Sequence, residues 1–150
     1  MIKVLFGGAF DLLHRGHIEA IKKARTYGDY LVIGVSSDAR IKAKKGNLRP
    51  IIPEEDRIEI VRNIKGVNKV VCLRGESEYP FFKLLYMVKP DIVVVDSTEH
   101  QNLEKERKVC EEKGIQLKTF DRIITESKLD TSNIINKILY GQTKNRNSWE

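Results

Sequence analysis

The chain has 150 residues, 41% hydrophobic and 32% charged, enough for one domain with a sizeable core and too few for a second. Its net charge of +6, from 27 basic against 21 acidic residues, favours anionic partners without distinguishing nucleic acid from nucleotides. No apolar run is long enough to span a membrane and only Lys3 interrupts the start of the first apolar run, so neither a membrane anchor nor a signal peptide is expected, and the expected compartment is the cytoplasm.

Residues 2–6 read as a short buried strand, followed by Gly7 and Gly8, which lack a Cβ and so suit a tight turn and close approach of a ligand. Residues 17–27 read as a helix with Ile18, Ile21 and Ala24 on one face, broken at Gly28-Asp29. Residues 30–35 form the second strand, with Ser36-Ser37-Asp38 at its carboxyl end, and residues 37–46 read as a basic loop. Pro53 precedes Glu54, Glu55 and Asp56, which suit the first turn of a helix to about Ile64 with Ile58, Val61 and Ile64 inward. Residues 67–73 read as a strand, 81–88 as a helix, 92–95 as a wholly apolar strand and 103–113 as a charged surface helix closed by Gly114. Residues 116–120 offer a fifth strand, and 131–140 a last helix with Ile134, Ile135, Ile138 and Leu139 as its apolar stripe. The domain is therefore placed at residues 1–140, with 141–150 a polar tail. Cys72 and Cys110 lack metal-ligand spacing and read as ordinary thiols.

Strands alternate with helices throughout, which predicts a three-layer, Rossmann-like α/β fold on a five-stranded, mainly parallel sheet. In such a sheet a phosphate binds where the first strand hands over to the first helix. That handover carries Phe6-Gly7-Gly8-Ala9-Phe10-Asp11-Leu12-Leu13-His14-Arg15-Gly16-His17, holding two of the three histidines. His14 and His17, three apart around Gly16, can face one phosphate beside the free N–H groups of the helix. Lys42, Lys44, Lys45 and Arg49 form the one dense basic cluster placed like a site. Asp11 is the acidic residue best placed to meet a metal or a phosphate-bound water, or else to tie down the loop through backbone amides.

This run resembles the signature of the cytidylyltransferase-like nucleotidyltransferases, which transfer a nucleoside monophosphate and release pyrophosphate. The resemblance spans residues 2–138. It implies sheet order 3-2-1-4-5, with His14 and His17 contacting a triphosphate and Gly7, Gly8, Ala9, Phe10, Asp11 and Gly16 around it. Lys45 matches the lysine that closes over the triphosphate, with Lys42 second. Arg57 matches a helix arginine that reaches a phosphate or the acceptor, and equally suits an ion pair. Thr131 and Ser132 lie in an element similar to Ser-Thr-Thr-x-Ile; Asp130 stands where a serine is usual, and the glycine and arginine expected upstream are replaced by Thr125, Ser127 and Lys128.

The stretches 37–57, Glu76-Ser77-Glu78-Tyr79-Pro80 and 131–135 look most like the adenylyltransferase domain of ADP-heptose synthases. The short opening loop also resembles glycerol-3-phosphate cytidylyltransferase and archaeal FAD synthase, so ATP and CTP both stay open, ATP favoured. The chain has Val95-Asp96-Ser97-Thr98-Glu99-His100 where heptose enzymes have a Lys-Gly-Gly-Asp type sequence, which makes Asp96 the candidate base or acceptor contact. The expected partners are a nucleoside triphosphate with Mg²⁺ and a phosphorylated small molecule; relatives are often homodimers. A catalytically silent nucleotide-binding domain is the reading from another class. Nucleic-acid binding is disfavoured by the 7% aromatic content and the absence of a recognition motif.

Overall fold

The computed structural model describes residues 1–75, 80–98 and 102–141. Its elements are β1 (Lys3–Gly8), α1 (Arg15–Arg25), β2 (Tyr30–Val35), α2 (Asp38–Lys45), α3 (Glu54–Arg62), β3 (Lys69–Val71), α4 (Phe81–Val88), β4 (Ile92–Asp96), α5 (Leu103–Glu112), β5 (Gln116–Phe120) and α6 (Thr131–Tyr140). The strands pair in parallel in the order β3-β2-β1-β4-β5, as expected. The stretches 76–79, 99–101 and 142–150 lie outside the described residues, and with them the expectations for Glu76, Ser77, Glu78, Tyr79, Glu99, His100 and most of the polar tail.

Strand alternation divides the core into two layers. Val4, Phe6, Leu31, Ile33 and Val94 face α1 and α3 and meet Ile21, Ala24, Ile58 and Val61. Leu5, Val32, Val93 and Val95 face α4 and α5 and meet Phe81, Leu85, Val88 and Cys110. Each such side chain contributes about 1.5–3 kcal/mol by leaving water, so the central strands are the rigid base on which the loops at their carboxyl ends stand. Gly28 closes the turn into β2 so tightly that a Cβ there would lie 2.6 Å from the Ile2 carbonyl oxygen.

Four local readings change. The glycines do not turn the chain: Gly7 and Gly8 continue β1, in register with Gly34 and Val35, and the turn falls on residues 9–13, where Phe10 (φ 54°) and Leu12 (φ 47°) take the left-handed region. That conformation is unfavourable for a side-chain-bearing residue, and the core compensates by gripping the Phe10 ring between Phe6, 6.1 Å away, and His17, 5.6 Å away. α1 begins at Arg15, because His14 takes the N-cap in extended backbone. The expected basic loop is the helix α2, whose Ser37 side chain accepts from the Arg40 N–H at 3.1 Å and which ends at Gly46, where φ is 92°.

The fourth concerns α6, whose apolar stripe is not buried as a unit: Ile134 and Ile135 are half-buried, Ile138 is 75% and Leu139 63% exposed, and the buried positions are Asn133 and Asn136. The polar N-terminus sets the helix's rotation. Asp130 caps the Asn133 N–H at 2.8 Å, the Thr131 hydroxyl donates to the Asp11 carbonyl at 2.8 Å, and Asn133 Nδ2 donates to the Lys128 carbonyl at 3.0 Å. Among the described residues no helix is long and apolar enough to cross a membrane.

Candidate nucleotide site

A cavity of about 490 Å³ opens at the carboxyl ends of β1 and β4, the point where the strand order reverses direction. Gly7, Gly8, Ala9, Phe10 and Asp11 form its floor, and His14, Gly16 and His17 one wall. The two imidazoles stack with centroids 3.8 Å apart. His17 Nδ1 accepts the His14 backbone N–H at 3.2 Å, which places the proton of a neutral ring on Nε2 and makes that nitrogen a donor. Burial, reinforced by His14, Arg122 and Lys45 and opposed by Asp11, pushes the His17 pKa down to about 3. Burial also lowers that of His14, with Arg122 adding to the shift and Asp130 resisting it. The pair therefore meets a ligand at neutral pH as uncharged rings, among lysine and arginine side chains that carry the positive charge.

Gly16 makes the stack possible. A Cβ at this position would lie 2.9 Å from both His14 Cε1 and Nδ1, a distance at which the ring must move. Alanine favours a helix by up to about 1 kcal/mol over glycine, so Gly16→Ala is expected to hold or raise the melting temperature while separating the imidazoles and weakening triphosphate binding at least tenfold. Histidine ring NMR shifts and a binding titration check both halves.

The other residues expected at the site divide by position, and several change meaning. Lys45 lines the cavity and Lys42 does not, while Arg40 and Lys44 of the same helix also line it. Asp96 and Ser132 line the cavity, as does Thr131, although the Thr131 hydroxyl is spent on Asp11. The Asp130 carboxylate caps α6.

Asp11 is corrected as a metal ligand: 1% exposed, its carboxylate accepts from the Ile51 and Ile52 amides at 2.8 and 2.9 Å and from Arg49 Nε at 3.3 Å. The loop-tying role is the one it fills. Arg57 is corrected as a substrate contact. It is wholly buried, and its guanidinium donates to the carbonyls of Ile52 (2.8 Å), Ala9 (2.7 Å) and Ser36 (2.8 Å) and to Asp38 Oδ1 (2.8 Å).

Arg49, Arg122 and Lys128 also border the cavity. Arg49 stood in the basic cluster, but Arg122 and Lys128 sit in the irregular link before α6 and carry no spacing signal. Among the described residues no three His, Cys, Asp or Glu side chains group as a metal site. The described residues thus build no cation cage of their own.

A family model described as cytidylyltransferase-like matches residues 5–147. Among curated proteins, the bifunctional protein HldE of Nitratiruptor sp. is 42% identical over 91 residues, covering 61% of this chain and 19% of that protein. HldE of Helicobacter pylori is 44% identical over 93 residues, covering 61% and 20%. The match thus spans about a fifth of the length of these relatives. Among solved structures, a lipopolysaccharide core biosynthesis protein from Thermoplasma volcanium superposes with a TM-score of 0.69 at 28% identity, covering 82% of this chain and 97% of that one. A protein of unknown function from Archaeoglobus fulgidus gives 0.62 at 28% identity, covering 83% and 93%. Pantothenate synthetase from Thermus thermophilus, at 14% identity and 0.61 over 89% of this chain and 60% of that one, shares the fold.

Proposed function

We propose, since the chain belongs to the cytidylyltransferase-like family, that it transfers a nucleoside monophosphate from a magnesium-bound nucleoside triphosphate to a phosphorylated small molecule and releases pyrophosphate. The observation that carries this reading is the stacked His14–His17 pair, with Lys45 and Arg122 as its electrostatic neighbours, on the wall of the cavity at the sheet's reversal point. A sugar phosphate as acceptor and ATP as donor are supported by the stretches that resemble ADP-heptose synthases and by the similarity to a protein of lipopolysaccharide core biosynthesis. A cytoplasmic homodimer belongs to the same proposal, and light scattering tests its assembly.

A phosphomonoester is already an anion at neutral pH, so attack on the α-phosphorus needs no general base. The enzyme must bring two anions into line and compensate the charge that builds on the departing pyrophosphate. His17 supplies a fixed Nε2–H donor because the His14 amide holds its other nitrogen. Lys45 and Arg122 add positive charge around it. A magnesium ion bound with the triphosphate would add further neutralisation of phosphate charge.

Pyrophosphate release should be screened with ATP and CTP against sugar, polyol and flavin phosphates, beside His17→Ala. Release with one nucleotide and one acceptor class, lost in the variant, is the expected result. No release from any pair, or release indifferent to the substitution, overturns the assignment.

A further inference from the structure

The cavity is longer than the histidine wall. It crosses the carboxyl edge of the sheet from one helical layer to the other. His14 and His17 border it beside α1, and Phe81 and Leu84 border it in the α4 layer; Arg40, Lys44, Leu73, Arg122 and Lys128 are also in its lining. The crossing is made over Gly7, which pairs with Gly34 of β2, so no side chain from either position blocks the passage. A Cβ on Gly7 would meet only the Gly34 carbonyl, at 3.5 Å.

The two ends carry separate positive centres. The charged groups that act on His17 are His14, Arg122, Lys45 and Asp11, and Arg40 is not among them. Arg40 instead interacts with Glu106, a buried carboxyl of α5, the helix whose Cys110 packs in the same core layer as Phe81 and Leu85 of α4. Arg40 and Lys44 are four residues apart on α2 and share a helix face. An arginine keeps its charge even when partly desolvated, and its planar fork matches a phosphate with two parallel hydrogen bonds.

In-line transfer requires the attacking phosphate and the departing pyrophosphate to lie on opposite sides of the α-phosphorus. If the histidine wall holds the end that departs, the attacking anion approaches from the α4 side. We infer that Arg40, assisted by Lys44, binds the acceptor's phosphate at the α4 end of the cavity, with the acceptor's carbon frame packed against Leu73, Phe81 and Leu84. The inference rests on the nucleotide reading given above. It adds the chemical class and position of the second substrate: a phosphomonoester whose CH-bearing ring or chain meets an apolar wall. In the transfer, one oxygen of that monoester forms a bond to the α-phosphorus while the bond from the α-phosphorus to the β-bridging oxygen breaks, and the electron pair leaves with pyrophosphate.

The test uses inorganic phosphate as probe. The full chain is first saturated with the α,β-methylene analogue of ATP or of CTP, and phosphate is then titrated while amide NMR shifts are followed. The expected shifts gather on residues 37–44 and 81–84. Arg40→Gln should weaken phosphate at least tenfold while altering the affinity for the analogue less than twofold, and Arg40→Lys should recover part of the loss. Phosphate that fails to bind the loaded protein, shifts that gather on His14, Lys128 and Ser132, or an Arg40→Gln variant that loses the analogue and keeps phosphate, each overturns the inference. An analogue that leaves the His14 and His17 signals unmoved sinks the nucleotide reading instead. In that case phosphate titrated into the unloaded wild type and Arg40→Gln still decides whether Arg40 binds a phosphate.

Discussion

His17→Ala is expected to lower kcat for pyrophosphate release by about 10²–10³-fold, the usual loss when one preorganised donor to a developing anion is removed. The size follows from how the ring is held. Its Nδ1 is committed to the His14 amide, its face lies on the His14 ring and its edge lies near Phe10, so the donor needs no reorganisation when charge develops. The structural penalty is smaller: one hydrogen-bond acceptor disappears, worth about 1 kcal/mol, and the melting temperature should fall by only a few degrees.

Acid unfolding supplies an independent check. With its pKa at about 3 in the folded protein against about 6.5 when unfolded, His17 favours folding fully above pH 6.5. The unfolded chain takes up the proton first as pH drops, so this contribution declines from pH 6.5 towards pH 3, by at most about 1.4 kcal/mol per unit. Between pH 6.5 and 5, urea midpoints should therefore move further in the wild type than in His17→Ala. Equal movement would mean that the imidazole is solvated, and the preorganised donor would be lost from the account.

What the sequence disclosed and what it concealed divide along physical lines. The strands were readable because parallel strands buried on both faces leave nearly unbroken apolar runs, as in residues 31–33 and 92–95. The histidine pair was readable because chain order alone puts the end of the first strand at the site. Lys44 could not be told from Lys42 in that way. The face α2 turns to the cavity depends on which residue it buries, and burial of Ile41 brings Arg40, Lys44 and Lys45 to the cavity and leaves Lys42 outside.

The second half of the α6 stripe, Ile138 and Leu139, failed for a related reason. Periodicity assumes that burial of apolar groups sets a helix's rotation, whereas here three hydrogen bonds at its first turn do so. Arg122 and Lys128 reach the cavity through an irregular link, where no period exists to read.

Arg57→Met should destabilise the fold by about 3–5 kcal/mol, as measured by urea unfolding, the range found when one partner of a buried ionic network is removed. The methionine fills much of the space but satisfies none of four acceptors. The carbonyls of Ala9, Ser36 and Ile52 and the Asp38 carboxylate all lose their donor, and each buried orphan costs about 1–3 kcal/mol, less where water can reach it. Those acceptors belong to the turn after β1, the end of β2, the first residue of α2 and the segment before α3. One guanidinium therefore ties together the pieces that frame the cavity.

Asp11 grips the same 49–52 segment from the other side through the Ile51 and Ile52 amides, which is why neither residue has atoms to spare for a ligand. Lysine cannot replace the fork, since an ammonium is a point donor, so Arg57→Lys should recover less than half of the loss. Asp38→Ala takes the carboxylate from the wholly buried guanidinium, but Asp38 is about a third exposed, so water can partly replace it and the cost should be about 1–3 kcal/mol. An Arg57→Met protein as stable as the wild type, with only its KM raised, would return Arg57 to the role of a substrate contact and undo the structural assignment.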